Sequence, residues 1–246
     1  MIEAISLTKD FDSLKVLKGI DINFKGNEIV CILGESGKGK SVFLQILAGL
    51  IKPTSGSVIV EGMDITKLSE EELLLIRKRI GYLFQSGALY DFMNVYENLS
   101  FPLREHTKLS ETEIKDKVDE MLTEVNLLDI KDKFPSELSG GMRKRASLAR
   151  SVILGPKMLF CDEPTSGLDP SNAKLISQLI LKLSRKCKST TIITSHDIAN
   201  SLSISDKVTV LLEGKLLDCG SPKDFLSSSD ERVKDFLRPY KEVSYA

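Results

Sequence analysis

The alternation of hydrophobic and polar positions gives the first third of the chain a strand-rich pattern. Short alternating segments predict strands at residues 2–7, 19–24, 28–33, 55–62 and 80–85. Two helices are expected between them, at about 40–48 and at 69–79. The second begins with a serine and acidic residues and ends with basic ones, as the helix dipole favours.

Residues from about 86 to 155 differ in character from the strands before them. Within 111–128 the hydrophobic residues recur at helical spacing, which places five of them on one face: Ile114, Val118, Met121, Leu122 and Val125. We expect this middle third to be mainly helical.

After Pro156 strands and helices alternate again. The pattern predicts strands at 157–163 and 189–196, helices at 171–186 and 198–205, and a hairpin over 207–220 that turns at Glu213-Gly214. Continuous hydrophobic strands separated by helices are typical of buried parallel sheets. We therefore expect an α/β core with a helical insertion and antiparallel strands at its edge. Residues 237–246 show no period, which suggests a tail that orders only on a partner.

Composition narrows the class of protein without naming a function. The 246 residues are 41% hydrophobic and 28% charged, as in ordinary soluble domains, and a net charge of −1 offers no basic excess for nucleic acid. The longest apolar run, 42–51, is too short to span a bilayer, and no secretory signal is visible. The four cysteines form no CxxC pair, so we expect reduced hydrophobic residues in a cytoplasmic protein.

The stretch "GESGKGKS" (34–41) matches G-x-x-x-x-G-K-[ST] between an apolar strand and a helix. Such a P-loop wraps phosphate oxygens with backbone N–H groups, while its lysine reaches the β- and γ-phosphates and its hydroxyl binds Mg²⁺. The alternative is a glycine-rich turn that matches by chance. The predicted nucleotide contacts are Gly34, Glu35, Ser36, Gly37, Lys38, Gly39, Lys40 and Ser41, of which Lys38 has no firm role.

A second candidate feature follows the apolar strand "MLFC" (158–161). Asp162 ends this strand, where α/β sheets hold ligands, and would anchor Mg²⁺. Glu163 follows directly and would polarise an attacking water, a role that contributes about 10²–10⁴-fold to rates. The alternative, the start of a solvated loop, loses weight beside the P-loop.

The stretch "ELSGGMRKRASLAR" (137–150) adds a second helix start suited to an anion. Together with the P-loop and "LFCDEPTSGLD", its "LSGGM" resembles the signature of ATP-binding cassette (ABC) ATPases, with Met142 in place of the usual Gln. In that family the signature of one subunit covers the γ-phosphate on the P-loop of the other. The resemblance therefore implies ATP and Mg²⁺ as cofactors and a head-to-tail dimer with a second copy of the chain.

The resemblance also assigns roles to residues elsewhere. Gln85 resembles the Q-loop residue that senses Mg²⁺ and the attacking water, and His196 the switch histidine at the γ-phosphate. Asp169 resembles the D-loop aspartate near the dimer interface. Phe11 matches the aromatic that stacks on adenine, with a strand-edge hydrophobe as the alternative. The signature contacts are Ser139, Gly140 and Gly141. The expected catalytic residues are Glu163, His196, Gln85 and Lys40, and the expected metal ligands are Ser41, Gln85 and Asp162.

The family's architecture maps onto the predicted elements. It implies a P-loop NTPase (RecA-like) core with a parallel sheet, an N-terminal antiparallel β-subdomain and a helical subdomain that carries the signature. One ABC ATPase domain would span 1–236, with 1–86 and 156–225 as the α/β core and 87–155 as the helical subdomain, before the tail 237–246.

The segment "SGALYDFMNVYENLSFPLREHTKLS" (86–110) is rich in aromatic and aliphatic residues for a surface. It resembles ATPases of Mla and MCE-associated systems, which move phospholipids between the membranes of diderm bacteria. The implied partners are a membrane permease, a periplasmic MCE-domain protein and, in some systems, a small STAS-domain protein, with no nucleic acid. The expected location is the cytoplasmic face of the inner membrane.

Other functions stay open at this point. The runner-up is the ATPase of a lipoprotein-release or small-solute ABC transporter. A soluble ABC ATPase acting on ribosomes or DNA is less favoured, because the chain has one cassette and no excess charge. A kinase or GTPase would leave "LSGGM" unexplained.

Overall fold

The structure is a computed structural model that describes residues 1–244, with side chains to residue 240. The chain divides into two compact units. Unit 1 comprises Met1–Ser69 and the residues from Ile192 onward, and unit 2 comprises Glu70–Thr191. These units do not follow the limits predicted for the core and the helical subdomain, and that assignment stays a prediction. Within the described residues no helix is both long and apolar enough to cross a bilayer.

Unit 1 begins with a four-stranded antiparallel sheet. Its strands are β1 (Ile2–Phe11), β2 (Leu14–Phe24), β4 (Ser55–Val60) and β5 (Met63–Asp64), in the order β2-β1-β4-β5. This sheet confirms the predicted N-terminal β-subdomain. β1 extends four residues beyond its predicted end, because a register shift between Ala4 and Leu7 moves the buried positions out of strict alternation.

The remaining strands of unit 1 belong to the predicted sheet of the α/β core. β3 (Ile29–Leu33) is wholly buried and pairs in parallel with β9 (Lys207–Leu212), which pairs in antiparallel fashion with β10 (Lys215–Asp218). Between β9 and β10 the chain turns as predicted at Glu213 and Gly214, whose φ values of 48° and 81° suit a tight hairpin turn. The helices of this unit are α1 (Lys40–Leu47), α7 (Ile198–Ile204), α8 (Pro222–Leu226) and α9 (Glu231–Ser244).

The prediction that residues from 237 onward order only on a partner is wrong, because helix α9 runs through residues 237–244. Leu237 is 1% exposed and packs in a core with Val208, Val210 and Phe225. Pro239 lies inside the helix and interrupts the sequence pattern that would have marked it. The described part of the predicted tail is therefore structured without a partner, and residues 245–246 lie outside the described part of the chain.

Unit 2 contains most of the helices. Its elements are α2 (Glu70–Arg77), β6 (Ile80–Leu83), α3 (Val95–His106), α4 (Glu111–Glu124), α5 (Gly140–Val152), β7 (Met158–Asp162) and α6 (Pro170–Cys187). α3 packs against α4 and α5, and α4 buries Ile114, Val118 and Leu122 as its spacing predicts. β6 and β7 are parallel. β8 (Thr190–Ser195), also wholly buried, contains the division between the units.

The fold class predicted from the sequence is confirmed. The pairs β3/β9 and β6/β7 are parallel, helices alternate with these strands, and β10 adds an antiparallel edge. Buried apolar strands of this kind place ligand-binding loops at their carboxyl ends.

Candidate functional site

The P-loop connects β3 to α1 in unit 1. Gly37 and Gly39 have φ values of 76° and 99°, a conformation that side chains disfavour. A methyl group at Gly39 would also come within 2.6 Å of Val16 Cγ1. Gly39 is the N-cap of α1 and has no side chain to cap the helix. The first turn is thus open to an anion, as the motif predicts.

The Lys40 side chain lies inside this loop and bonds to its backbone. Its side chain is 4% exposed, and its Nζ donates hydrogen bonds to the carbonyl oxygens of Gly34 at 2.8 Å and Glu35 at 3.0 Å. A Cβ at Gly34 would lie 2.9 Å from the Leu211 carbonyl oxygen, so only glycine fits there. A buried ammonium beneath a curved backbone with a half-buried Ser41 hydroxyl beside it suits a phosphate and its metal ion.

The other predicted residues of unit 1 are more exposed. Lys38 pairs with Glu35 at 3.6 Å on the outside of the loop. Phe11 ends β1 with 45% of its surface exposed, and the ammonium of Lys9 lies 4.8 Å from its ring centroid. Its ring is therefore accessible for stacking on a base. His196 is exposed directly after β8.

In unit 2, two buried carboxylic acids lie at the carboxyl end of β7. Asp162 is the last residue of the strand and Glu163 follows it with a φ of 45°, which is rare for a residue with a side chain. Such backbone strain persists only where the surroundings impose it, and it concentrates at functional sites. The strained turn redirects the chain directly at the predicted catalytic base.

Gln85 lies just beyond β6, the strand that pairs with β7, at the same position along the sheet as Glu163. β6 pairs Leu83 with Cys161, so Gln85 and Glu163 both lie two residues beyond a paired position. The Gln85 side chain is exposed, with its Nε2 3.5 Å from the hydroxyl of Ser166. The structure thus brings the predicted Q-loop residue to the same strand ends as the two carboxylic acids.

The signature stretch begins α5, as expected. Ser139 is its N-cap and accepts a hydrogen bond from the amide of Met142 at 3.3 Å. Ser139 and Gly140 are exposed at the helix start, whereas Gly141 is buried. A methyl group at Gly141 would lie 2.6 Å from Asn172 Oδ1.

Asp169 is connected to the start of α5 by Asn172, whose side chain binds Asp169 and lies beside Gly141. Its carboxylate caps α6 by accepting hydrogen bonds from the amides of Ser171 and Asn172, both at 3.1 Å, and from Asn172 Nδ2 at 2.6 Å. Hydrogen bonds from Ser171 and Asn172 hold the pKa of the Asp169 carboxyl well below its usual range. The structure therefore gives Asp169 a capping role within its own chain.

Lys144 and Asn98 are among the buried polar residues that the sequence did not mark as part of a site. Lys144, in α5, is 6% exposed, and its ammonium contacts the backbone carbonyls of Gln85 and Glu163. Asn98, in α3, is fully buried and binds the backbone of Tyr90 through both its amide and its oxygen. A lysine within "RKR" and an asparagine within a helix have no sequence pattern that distinguishes them from surface residues.

Asn98 supports the apolar segment 86–110. Arg150 of α5 binds Asn98 Oδ1 at 3.3 Å and the Ala88 carbonyl oxygen at 2.7 Å, and its guanidinium lies 5.3 Å from the Tyr90 ring centroid. Above this framework Phe92 is 75% exposed. A cavity of about 250 Å³ in unit 2 is lined by Pro102 of the segment as well as by Arg150. The segment is therefore held from below, and the rings of Phe92 and Tyr90 are exposed on its surface.

Comparison with known proteins identifies the family. Residues 17–166 match the family model described as ABC transporter. The chain is 45% identical over 237 residues to the probable ribonucleotide transport ATP-binding protein mkl of Mycobacterium tuberculosis, covering 96% of this chain and 66% of that protein. It thus spans slightly less than two thirds of the length of that relative.

Two further relatives match over nearly the whole chain, both from Haemophilus influenzae. The intermembrane phospholipid transport system ATP-binding protein MlaF is 38% identical, covering 97% of this chain and 90% of that protein. The methionine import ATP-binding protein MetN is 36% identical, covering 99% and 72%.

A solved structure supports the same conclusion. The dimeric ATP-binding cassette MJ0796 bound to ADP and Pi superposes with a TM-score of 0.82 at 30% identity, covering 88% of this chain and 96% of that one. The chain therefore belongs to the ABC transporter family, and its domain is an ATP-binding ABC ATPase.

Proposed function

We propose that the chain is the motor subunit of a phospholipid-moving ABC transporter, and that the P-loop holds the phosphates of ATP. The buried ammonium of Lys40 would contact the β- and γ-phosphates, and the exposed ring of Phe11 would stack on adenine. A Mg²⁺ ion held by Ser41, Asp162 and Gln85 would neutralise charge on the phosphates. The remaining loop residues would contribute backbone N–H groups.

Glu163 would act as the base that orients water for in-line attack on the γ-phosphate. The observation that carries this role is its position, buried and strained at the carboxyl end of β7 directly after Asp162. Gln85 would lie beside the water, and His196 would contact the γ-phosphate. Ser139, Gly140 and Gly141 of a second copy would cover that phosphate, with Asp169 near the interface.

Substitution of the proposed base tests this mechanism. In Glu163→Gln the shape is retained but the group accepts no proton, so we expect kcat for ATP hydrolysis to fall at least about 100-fold with little change in ATP affinity. Phosphate release and nucleotide titration measure the two quantities. Hydrolysis at the wild-type rate in the variant would show that another group is the base.

The cargo proposal is supported by the relationship to MlaF, which extends over 90% of that protein. The apolar segment 86–110 supports docking on a permease, since its surface exposes Phe92 over a fixed polar framework. The partners would be two permease copies and a periplasmic MCE-domain protein, with a STAS-domain protein as a further candidate. The chain would then lie at the cytoplasmic face of the bacterial inner membrane.

A small-solute transporter is the second candidate. The 36% identity to MetN over 99% of this chain favours it, and the name of mkl points to ribonucleotides as another class of cargo. The ATPase chemistry is the same in each case, so the permease decides between them.

Affinity purification of the tagged chain from detergent-solubilised membranes separates these candidates. Recovery of a permease with an MCE-domain protein and bound phospholipid is the expected result, whereas a different permease would change the cargo. Recovery of ribosomal or DNA-repair proteins without a permease would contradict transport. Phe92→Ser should lose the permease, while Phe134→Ser, which removes another exposed ring from unit 2, should retain it.

A further inference from the structure

Lys144 stands apart from the basic residues on either side of it in α5. Arg143 is exposed and donates to the Pro135 carbonyl oxygen at 3.0 Å, and Arg145 donates to the carbonyl oxygens of Val125 and Asn126 at 2.8 and 2.9 Å. Lys144 is instead 6% exposed. A buried lysine is rare unless its ammonium is held by acceptors.

The acceptors of Lys144 lie at the ends of two neighbouring strands. Its Nζ donates to the Gln85 carbonyl oxygen at 2.5 Å and lies 3.5 Å from the Glu163 carbonyl oxygen. One ammonium thereby connects the second residue after β6, the first residue after β7 and the helix capped by Ser139.

The second contact is to a strained peptide. Glu163 has a φ of 45°, and its carbonyl oxygen also accepts a hydrogen bond from the Ser166 amide at 3.2 Å. A strained conformation needs neighbours that impose it. The Lys144 ammonium and the Ser166 amide both contact the Glu163 carbonyl oxygen. The Ser166 hydroxyl also lies 3.5 Å from Nε2 of the Gln85 side chain.

Electrostatics agree with this placement. Burial lowers the pKa of the Lys144 ammonium, and the carboxyl groups of Asp162 and Glu163 oppose that change.

We propose that Lys144 is a positioning residue that fixes the backbones of Gln85 and Glu163 to the signature helix α5. A displacement of the helix start at Ser139 is then passed within the same chain to the hydrolytic carboxylate and the Q-loop. This inference rests on the proposed function only for the role of Glu163, since the connection itself is a property of the protein without nucleotide.

Hydrogen exchange on the nucleotide-free chain tests the connection directly. Lys144→Met keeps most of the length of the side chain and removes the donor. The Gly87 amide donates to the Phe84 carbonyl oxygen at 2.9 Å, next to Gln85, and the Ser166 amide donates to the Glu163 carbonyl oxygen. We therefore expect both amides to exchange at least about 10-fold faster. The control is Arg145→Met, which removes the next cation of the same helix. It should accelerate exchange around Asn126 and Leu127 and leave Gly87 and Ser166 within about 2-fold of wild type.

Steady-state kinetics supply the second readout. We expect Lys144→Met to lower kcat for ATP hydrolysis at least about 10-fold with KM changed less than about 3-fold, because the base is misplaced but nucleotide binding is retained. Unchanged exchange at Gly87 and Ser166 would overturn the proposal. So would faster exchange spread evenly over unit 2, or a KM that rises in parallel with the loss of kcat.

A second substitution covers the case in which Lys144→Met does not fold. Lys144→Gln keeps a polar donor on a shorter, uncharged side chain, and we expect the same two amides to exchange faster by a smaller factor. Wild-type exchange in this variant would equally overturn the proposal. If exchange responds as expected but Glu163→Gln still hydrolyses ATP, the connection stands and the proposed role of Glu163 fails.

Discussion

Glu163 shows how the site depends on single backbone angles. A glycine would adopt its φ of 45° without strain, yet the position carries the carboxylate proposed to activate water. Left-handed conformations cost residues with side chains about 1–3 kcal/mol. The cost is tolerated because hydrogen bonds from Ser166 and Lys144 hold the carbonyl, so the direction of the carboxylate is tied to the rest of unit 2.

At the same scale, we expect Lys40→Ala to weaken ATP binding about 10- to 100-fold, because a charge-assisted hydrogen bond contributes about 1.5–3 kcal/mol. The loss of its bonds to Gly34 and Glu35 would also loosen the loop. Titration with a fluorescent ATP analogue measures the change. Lys67→Ala is the control, since that lysine is an 80% exposed surface residue of unit 1. Equal affinities in the two variants would contradict the prediction.

Individual residues were predicted from the sequence where a motif fixes the role. The P-loop, the Asp162–Glu163 pair and the signature lie on the expected elements. Lys144 was missed because three consecutive basic residues point in different directions on a helix. Which one is buried depends on how α5 is rotated against β6, and no local pattern records that rotation.

At the scale of elements, the start of α5 fits against α6 with no spare volume at Gly141. We expect Gly141→Ala to lower the free energy of unfolding by about 1 kcal/mol, since its methyl would displace the Asn172 side chain from Asp169. Gly140→Ala is the matched control. Its methyl would meet only Leu168 Cδ2 at 3.8 Å, and helix propensity should make it neutral or stabilising by up to about 0.5 kcal/mol.

Urea denaturation of the two glycine variants measures this difference. The comparison is between adjacent positions of one helix, so the propensity gain is similar and the steric effect remains. Equal stabilities would show that Asn172 moves aside without loss of its hydrogen bonds.

Helix α9 is the element that the sequence pattern failed to predict. We expect Leu237→Ala to cost about 2–4 kcal/mol, because the side chain is 1% exposed in the core of unit 1. Arg238→Ala, whose side chain is 69% exposed, should change stability by less than about 0.5 kcal/mol. Thermal or chemical unfolding checks both. A similar small effect in each variant would indicate that α9 is not part of the folded core.

The other elements were predictable because one period dominates each. The hairpin at Glu213-Gly214 and the helical face of α4 follow from local residues. β1 is longer than predicted because the bulge between Ala4 and Leu7 shifts the alternation of buried and exposed residues. α9 was not predicted because Pro239 interrupts its helical pattern. In both cases long-range packing supplies what the local pattern lacks.

At the scale of the whole molecule, the P-loop and the signature are two helix starts in one chain, and both are proposed to bind phosphate. If they serve opposite copies, ATP should drive Glu163→Gln into a dimer, since the nucleotide would bind both faces and is not consumed. Adding Ser139→Arg should abolish that dimer, because Ser139 is exposed at the start of α5 and a long side chain would obstruct the facing phosphate.

Light scattering with and without ATP measures the mass of both variants. A dimer that persists in the double variant would mean that the signature is not at the interface. Failure of Glu163→Gln alone to dimerise would contradict the head-to-tail arrangement itself.

The framework below segment 86–110 has a consequence for how such motors diversify. Asn98 and Arg150 stabilise the segment from within, whereas the 75% exposed ring of Phe92 contributes little to the fold. Changes at the exposed positions therefore carry almost no folding penalty, while changes at Asn98 carry a large one. If the permease docks on this segment as proposed, selection could exchange one membrane partner for another by altering a few surface side chains, and an engineer could retarget the motor in the same way.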